Sequence, residues 1–350
     1  MASREPKDAC LLLTAGDPCG VGPEVILNAL QRPWAFGVRL AVIGDLAVFE
    51  RLAHRLHLRL PQWEVVSPPS WSSRLPNALV FIDCANTSKF QVGQSSAAAG
   101  AAAAGYLDVA LHGWQRGGVD AIVTAPVTKH SIQQARGSFE GHTEYFAKAL
   151  RVQHPVMMFV APRLRIVLLT RHLRLADVPR RVTAPMVGQT LRATADGLRR
   201  WFGIRHPRLA ICGLNPHAGE QGMFGTEEQR LIPAIQRSLR AQGVALEGPF
   251  AADGFFANLY GPACAGSGMP GGYDAIVCWY HDQGLIPFKL MARDLGCQLT
   301  LGLPFIRTSP DHGSALDIAG TGRAHPGSMR YAIDLAIDLA RRARGHAHHT

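Results

Sequence analysis

Apolar runs about as long as buried strands recur along the chain at residues 10–13, 40–44, 78–83, 120–129, 166–173, 209–220 and 275–279, and segments with helical features separate them. Pro23 opens one such segment after a loop carrying Gly16, Gly20 and Gly22, because its missing N–H would go unpaired in a first turn anyway. The Ala/Gly tract at 94–111 predicts a helix whose small side chains permit close packing. A later helix carries Glu227 and Glu228 in its first turn, as the helix dipole favours, and another closes the chain from Arg330. Strands alternating with helices predict parallel α/β units. No internal repeat is visible.

The polar positions that end these runs carry the candidate chemistry. The run at 275–279 stops at Tyr280, His281, Asp282, Gln283 and Gly284, and two other runs end in His172 and His217. Ligands of open parallel sheets sit beyond the carboxyl ends of the strands. Three imidazoles there, with one position open, suit a divalent transition metal. Each taken singly also suits a strand-end histidine bonded to a backbone carbonyl. Lys129 lies beyond another run, and Thr143 is placed to cap a helix that begins at a His-Thr pair; capping does not account for His142. Arg307 follows an apolar run, as a phosphate or carboxylate clamp would. Asp253 falls in a glycine-bounded loop, and Asp311, His312 and Asp317 lie among glycines in a loop opening onto a helix.

Two glycine-rich segments are read differently. The loop at 16–22 is either an anion-binding junction or a tight packing turn; it has no GK[ST] ending and no GxGxxG spacing. Residues 266–271, GSGMPG, satisfy GxGxxG, but Pro270 and the strand that follows make them a surface loop.

At 350 residues, the chain is long enough for two domains with ordinary cores. Its 36 glycines and 23 prolines fit a loop-rich α/β enzyme rather than a disordered chain, since 47% of residues are hydrophobic. Seven scattered cysteines without a CxxC pair predict a reduced, cytoplasmic protein. The N-terminus lacks a signal-peptide layout, and no apolar span is long enough for a bilayer, so no membrane association is expected. The net charge of +10 comes with no nucleic-acid-binding motif, and its arginine clusters read as solvated helix faces; no nucleic-acid partner is expected. His346, His348 and His349 read as a disordered basic end rather than a metal site.

The stretches GDPCGVGPE, TAPVTK, GHTEYFA, LLTRHL, LNPHAGEQGMFGTEE, GPFAADGFF, YHDQGLIPFK and GLPFIRTSPDHGSA, in this order, resemble the 4-hydroxythreonine-4-phosphate dehydrogenase family of vitamin B6 biosynthesis over about residues 12–333. The resemblance implies two α/β/α domains with a cleft between them, isopropylmalate-dehydrogenase-like: residues 8–127 with 286–345, carrying the cofactor loop, and residues 128–285, carrying the metal ligands and the dimer interface. It implies that His172, His217 and His281 bind one divalent ion (zinc, magnesium or cobalt), and that His142, Thr143, Lys289, Gln298 and Arg307 hold a small phosphorylated substrate. The loop with His312, Gly313, Ser314, Ala315, Asp317 and Gly320 would receive NAD or NADP. Asp253, Asp282 and Lys289 are the candidates for catalysis, and a homodimer with the active site built from both subunits is implied.

The implied reaction is oxidation of 4-phosphooxy-L-threonine to 2-amino-3-oxo-4-phosphooxybutanoate, which decarboxylates to 3-amino-2-oxopropyl phosphate. Relatives that act on phosphorylated threonate or erythronate, or on aromatic cis-dihydrodiols, mark an alternative, and a three-histidine hydrolase or aldolase marks another. Gln298 stands where the family typically has asparagine, and Leu316 where the superfamily has proline.

Overall fold

The computed structural model describes residues 8–32, 37–68, 78–86, 90–259 and 270–346. The chain divides into two compact units, one built from Met1–Arg151 with Leu303–Arg344 and the other from Val152–Gly302. The sequence placed the divisions at 127/128 and 285/286.

The first unit contains β1 (Ala9–Thr14), α1 (Gly22–Leu30), β2 (Val38–Gly44), α2 (Leu46–Arg55), β3 (Glu64–Val66), β4 (Leu79–Asp83), α3 (Ala97–Gln115), β5 (Ala121–Thr124), α4 (Lys129–Arg136) and α5 (His142–Ala149). The second contains β6 (Val156–Ala161), β7 (Leu164–Leu168), α6 (Val178–Arg181), α7 (Ala184–Phe202), β8 (Arg208–Cys212), α8 (Glu227–Arg240), β9 (Ala245–Phe250), α9 (Ala252–Asn258), β10 (Ala275–Cys278), α10 (His281–Ala292) and β11 (Cys297–Leu301). The chain then returns to the first unit as β12 (Ile306–Pro310) and α11 (Gly327–His346).

Strands of the first unit run in the order β3-β4-β2-β1-β5-β12, and every neighbouring pair is parallel. Such a sheet is covered on both faces, which is why β1 is an unbroken apolar run and buried throughout. In α3, a Cβ on Gly100 would lie 2.0 Å from the carbonyl oxygen of Ser131, so the small-residue tract does let α4 approach closely. That packing keeps residues 129–151 with the first unit.

The second unit orders its strands β11-β6-β7-β10-β8-β9. The β7-β10-β8-β9 part is parallel, whereas β6 is antiparallel to both β7 and β11, a departure from the all-parallel expectation. Gly284 of α10 has Ile166 and Leu168 of β7 within 2.8 Å of where a Cβ would stand, so any larger residue would lift the helix off the sheet. The pairing of β11 with β6 and this seating of α10 keep residues 286–302 with the second unit.

The apolar run at 120–129 forms a strand only as far as Thr124, and Lys129 begins α4. No helix among the described residues is long and apolar enough to cross a membrane. The GSGMPG segment up to residue 269, Cys264, His348 and His349 lie outside the described residues.

Candidate active site

The segments that follow β7, β8 and β10 carry the strand-end histidines, His281 as the first residue of α10, and their hydrogen bonds run between strands. The Trp279 N–H donates to the Gln283 side-chain oxygen at 2.8 Å, while the Gln283 amide donates to the Gly213 carbonyl at 2.6 Å, tying the end of β10 to that of β8. The Thr170 hydroxyl and N–H both donate to the Trp279 carbonyl, tying β7 to β10. The indole N–H of Trp279, itself fully buried, donates to the Cys212 carbonyl at 2.5 Å. Thr170, Trp279 and Gln283 fall within LLTRHL, the run at 275–279 and YHDQGLIPFK, and this bridging role was not expected of them. A polar Gln two residues past a strand-end histidine was the available signal.

His172 and His281 are brought together, with ring centroids 5.8 Å apart. They line an open pocket of ≈ 400 Å³ with Arg171, Leu173, Leu175, Val178, Tyr280 and Asp282. Their spacing is roughly that of two imidazoles sharing an ion at metal–nitrogen bonds of about 2.0–2.1 Å. Asp282 Oδ1 lies 2.7 Å from His281 Nδ1, so Nε2 is the nitrogen that could face a metal; a carboxylate behind a metal histidine is the usual orienting partner.

His217 does not join them: no group of three or more His, Cys, Asp or Glu among the described residues is arranged to hold a metal. Of the three histidines expected to converge, His172 and His281 are the two brought together within the chain. The reason is local. Residues His217, Ala218, Gly219, Glu220 and Gln221 all have φ between 41° and 86°, a left-handed turn that presents His217 with its side chain 62% exposed. Left-handed backbone costs L-residues roughly 1–2 kcal/mol each, so the turn needs outside support. The buried Glu228 supplies it, accepting the Asn215 N–H at 2.7 Å and its side-chain amide at 3.2 Å; Glu227 accepts the same amide at 2.9 Å.

The first unit carries a second cluster. Arg307, 2% exposed, donates to the Thr124 hydroxyl from Nη2 at 2.6 Å and from Nε at 3.2 Å, and reaches the Thr143 hydroxyl from Nη1 at 3.5 Å. Thr143 lies inside the first turn of α5, and the N-cap is Gly141 rather than Thr143. His142 Nε2 is buried with no hydrogen-bond partner, and burial first, then the charges of Arg307 and Lys129, hold its pKa well below 6.5. A buried cation, a neutral imidazole with an unmatched nitrogen and a helix N-terminus are together chemically suited to an anion. Lys289, exposed in the last turn of α10, and Gln298, on β11, belong to the second unit, so the residues expected to hold a phosphate are divided between the units.

Residues 311–326 run as an irregular loop. His312 Nδ1 meets the Gly313 carbonyl at 2.9 Å while its Nε2 is buried without a partner, and a Cβ on Gly313 would meet nothing within 4 Å. Ala315 is left-handed (φ 40°), and Asp317 is exposed. An unmatched ring nitrogen, open space at a glycine and an exposed carboxylate fit a polar ligand with hydroxyl groups, as a nicotinamide dinucleotide is. Asp253 lies in the first turn of α9, exposed, rather than in a loop.

The family model described as pyridoxal phosphate biosynthetic protein PdxA matches residues 38–336. A 4-hydroxythreonine-4-phosphate dehydrogenase of Desulfosudis oleivorans is 40% identical over 331 residues, 94% of this chain and 95% of that protein. The crystal structure of a 4-hydroxythreonine-4-phosphate dehydrogenase from Klebsiella pneumoniae is similar with a TM-score of 0.80 at 33% identity, over 95% of this chain and 100% of the other. A terephthalate 1,2-cis-dihydrodiol dehydrogenase from Burkholderia xenovorans is similar with a TM-score of 0.62 at 30% identity, over 95% and 98%.

Proposed function

The chain belongs to the pyridoxal phosphate biosynthetic protein PdxA family, and on that premise we propose that it is the NAD(P)- and metal-dependent dehydrogenase that oxidises 4-phosphooxy-L-threonine at its C3 hydroxyl. The product, 2-amino-3-oxo-4-phosphooxybutanoate, is a β-keto acid and loses carbon dioxide to give 3-amino-2-oxopropyl phosphate.

The observation that carries this reading beyond family membership is the buried His142 Nε2 without a partner beside Arg307. It supports a phosphate there: the Arg307 guanidinium supplies charge, the Thr143 hydroxyl and His142 supply hydrogen bonds, and the α5 N-terminus supplies the positive end of the helix dipole. Lys289 and Gln298 are the further candidates for holding the substrate. Binding energy from this remote group can hold the reacting carbon in place, so it acts on turnover as well as on affinity.

His172 and His281 would hold the divalent ion, and His217 would be contributed by the second subunit of a homodimer, consistent with its exposed, braced turn. When bound, zinc, magnesium or cobalt supplies Lewis acidity that lowers the pKa of the substrate hydroxyl. The His312–Gly320 loop would hold NAD or NADP, which would supply a hydride acceptor there, and Asp317 would meet its ribose hydroxyls. Asp282 orients His281, and Asp253 or Asp282 takes the hydroxyl proton. A panel of 4-phosphooxy-L-threonine, phosphorylated threonate and erythronate, and an aromatic cis-dihydrodiol, followed by NADH absorbance, tests the substrate. Preference for an unphosphorylated diol would overturn the phosphate reading, and turnover without nicotinamide would overturn the dehydrogenase reading.

A further inference from the structure

Glu24, in the first turn of α1, is 0% exposed. A fully buried carboxylate is costly unless its oxygens are matched. Both are: Oε2 accepts the Gly320 N–H at 2.7 Å and Oε1 accepts the Ala324 N–H at 3.3 Å.

The near end of the same loop is held by the segment leading into α1. The Val21 N–H donates to the Ser314 carbonyl at 2.9 Å, the Thr128 hydroxyl donates to the Ser314 hydroxyl at 2.9 Å, and a Cβ on Gly20 would come within 2.8 Å of the Ser314 carbonyl oxygen. Inside the loop, backbone bonds run from Ile318 to Ala315 and from Thr321 to Ile318 at 3.2 Å and from Ala319 to Leu316 at 3.4 Å, and the Thr321 hydroxyl donates to the Ile318 carbonyl at 2.6 Å. From outside, a bracket grips Ser314 at one end and Gly320 with Ala324 at the other. Ala315, left-handed, and Asp317 lie between the two grips.

We propose that Glu24 is a positioning residue for the nicotinamide cofactor: it fixes the 314–324 loop in its binding shape before the cofactor arrives. This rests on the reading of that loop as the cofactor site. A preformed loop spares binding the ordering of its backbone, so the effect falls on cofactor affinity and leaves the phosphate pocket alone. The carboxylate is specifically required. Glutamine has one acceptor oxygen, and its NH2 would face an N–H donor, so Glu24→Gln loses one of the two bonds.

The test compares wild type with Glu24→Gln for NADH binding by fluorescence, inorganic phosphate binding by calorimetry, and amide hydrogen exchange over residues 312–324. The expected result is a roughly tenfold rise in the NADH Kd, an unchanged phosphate Kd, and faster exchange at Gly320 and Ala324. An unchanged NADH Kd, or an equal loss of NADH and phosphate affinity, would overturn the proposal. Wild-type protein decides the matter if the variant fails to fold, because rapid exchange of the Gly320 amide without cofactor contradicts a preformed loop. NADH that binds wild type without protecting residues 312–320 removes the premise and the proposal with it. NADH that protects them, yet binds Glu24→Gln as tightly, removes the proposal alone.

Discussion

The ring of His172 lies 5.8 Å from that of His281, centroid to centroid, with the two planes tilted by 41°. These side chains come from loops more than a hundred residues apart in the chain. What joins them is the pairing of β7 with β10, reinforced where Thr170 donates to Trp279. The sheet register thus sets the spacing of the histidine pair.

Replacing either of these histidines with alanine is expected to weaken zinc or cobalt binding by more than the roughly 10–100-fold that losing an orienting partner costs, with the fold unchanged. Calorimetric metal titration beside far-UV circular dichroism checks it. Asp282→Asn should fall inside that 10–100-fold range, because it leaves both ligands in place and removes only the carboxylate on His281 Nδ1.

His217→Ala and His172→Ala should each lose most turnover, yet mixing the two variants under subunit exchange should restore about a quarter of the wild-type sites, if each site draws His172 from one subunit and His217 from the other. Activity of co-refolded mixtures measures this. Mixtures as inactive as the parents contradict a shared site.

Arg307→Ala should raise the KM for a phosphorylated substrate by about two orders of magnitude, the scale of losing a buried charge-assisted contact. Steady-state kinetics would show it. A KM unchanged from wild type would move the phosphate elsewhere.

The depressed pKa of His142 gives stability a pH dependence with a definite sign. Below pH 6.5 the unfolded chain takes up a proton that the folded chain refuses, because burial and the nearby Arg307 and Lys129 charges disfavour imidazolium. This contribution is fully present above pH 6.5 and is lost as pH falls towards the depressed folded value, with a slope of up to about 1.4 kcal/mol per pH unit. His142→Gln should flatten that part of the urea-midpoint profile, and saturating phosphate should shift it.

Much of this was legible in the sequence. The strands that bear the histidines are largely buried, so β10 stands out as an unbroken apolar stretch, and β7 and β8 as apolar stretches broken by Arg165 and opened by Arg208, each followed by polar residues. The boundary after Thr124 was missed because Ala125 and Val127 continue the apolar pattern around Pro126, which has no N–H to donate to a ladder. The turn at His217 was not legible: four of its five left-handed residues are not glycine, so no residue type announced the conformation. Its bracing by Glu228 depends on α8 folding back onto the loop, a tertiary event. Glu24 was hidden for the same reason, since its partners lie about 300 residues further along the chain.

The most direct test of the account is NAD reduction with 4-phosphooxy-L-threonine as the substrate, before and after chelation and again after metal is restored. Substrate-dependent NADH formation that disappears with chelator and returns with zinc, cobalt or magnesium is the predicted result. NADH formation at full rate in chelated protein, or none when substrate, nicotinamide and metal are all supplied, would contradict it.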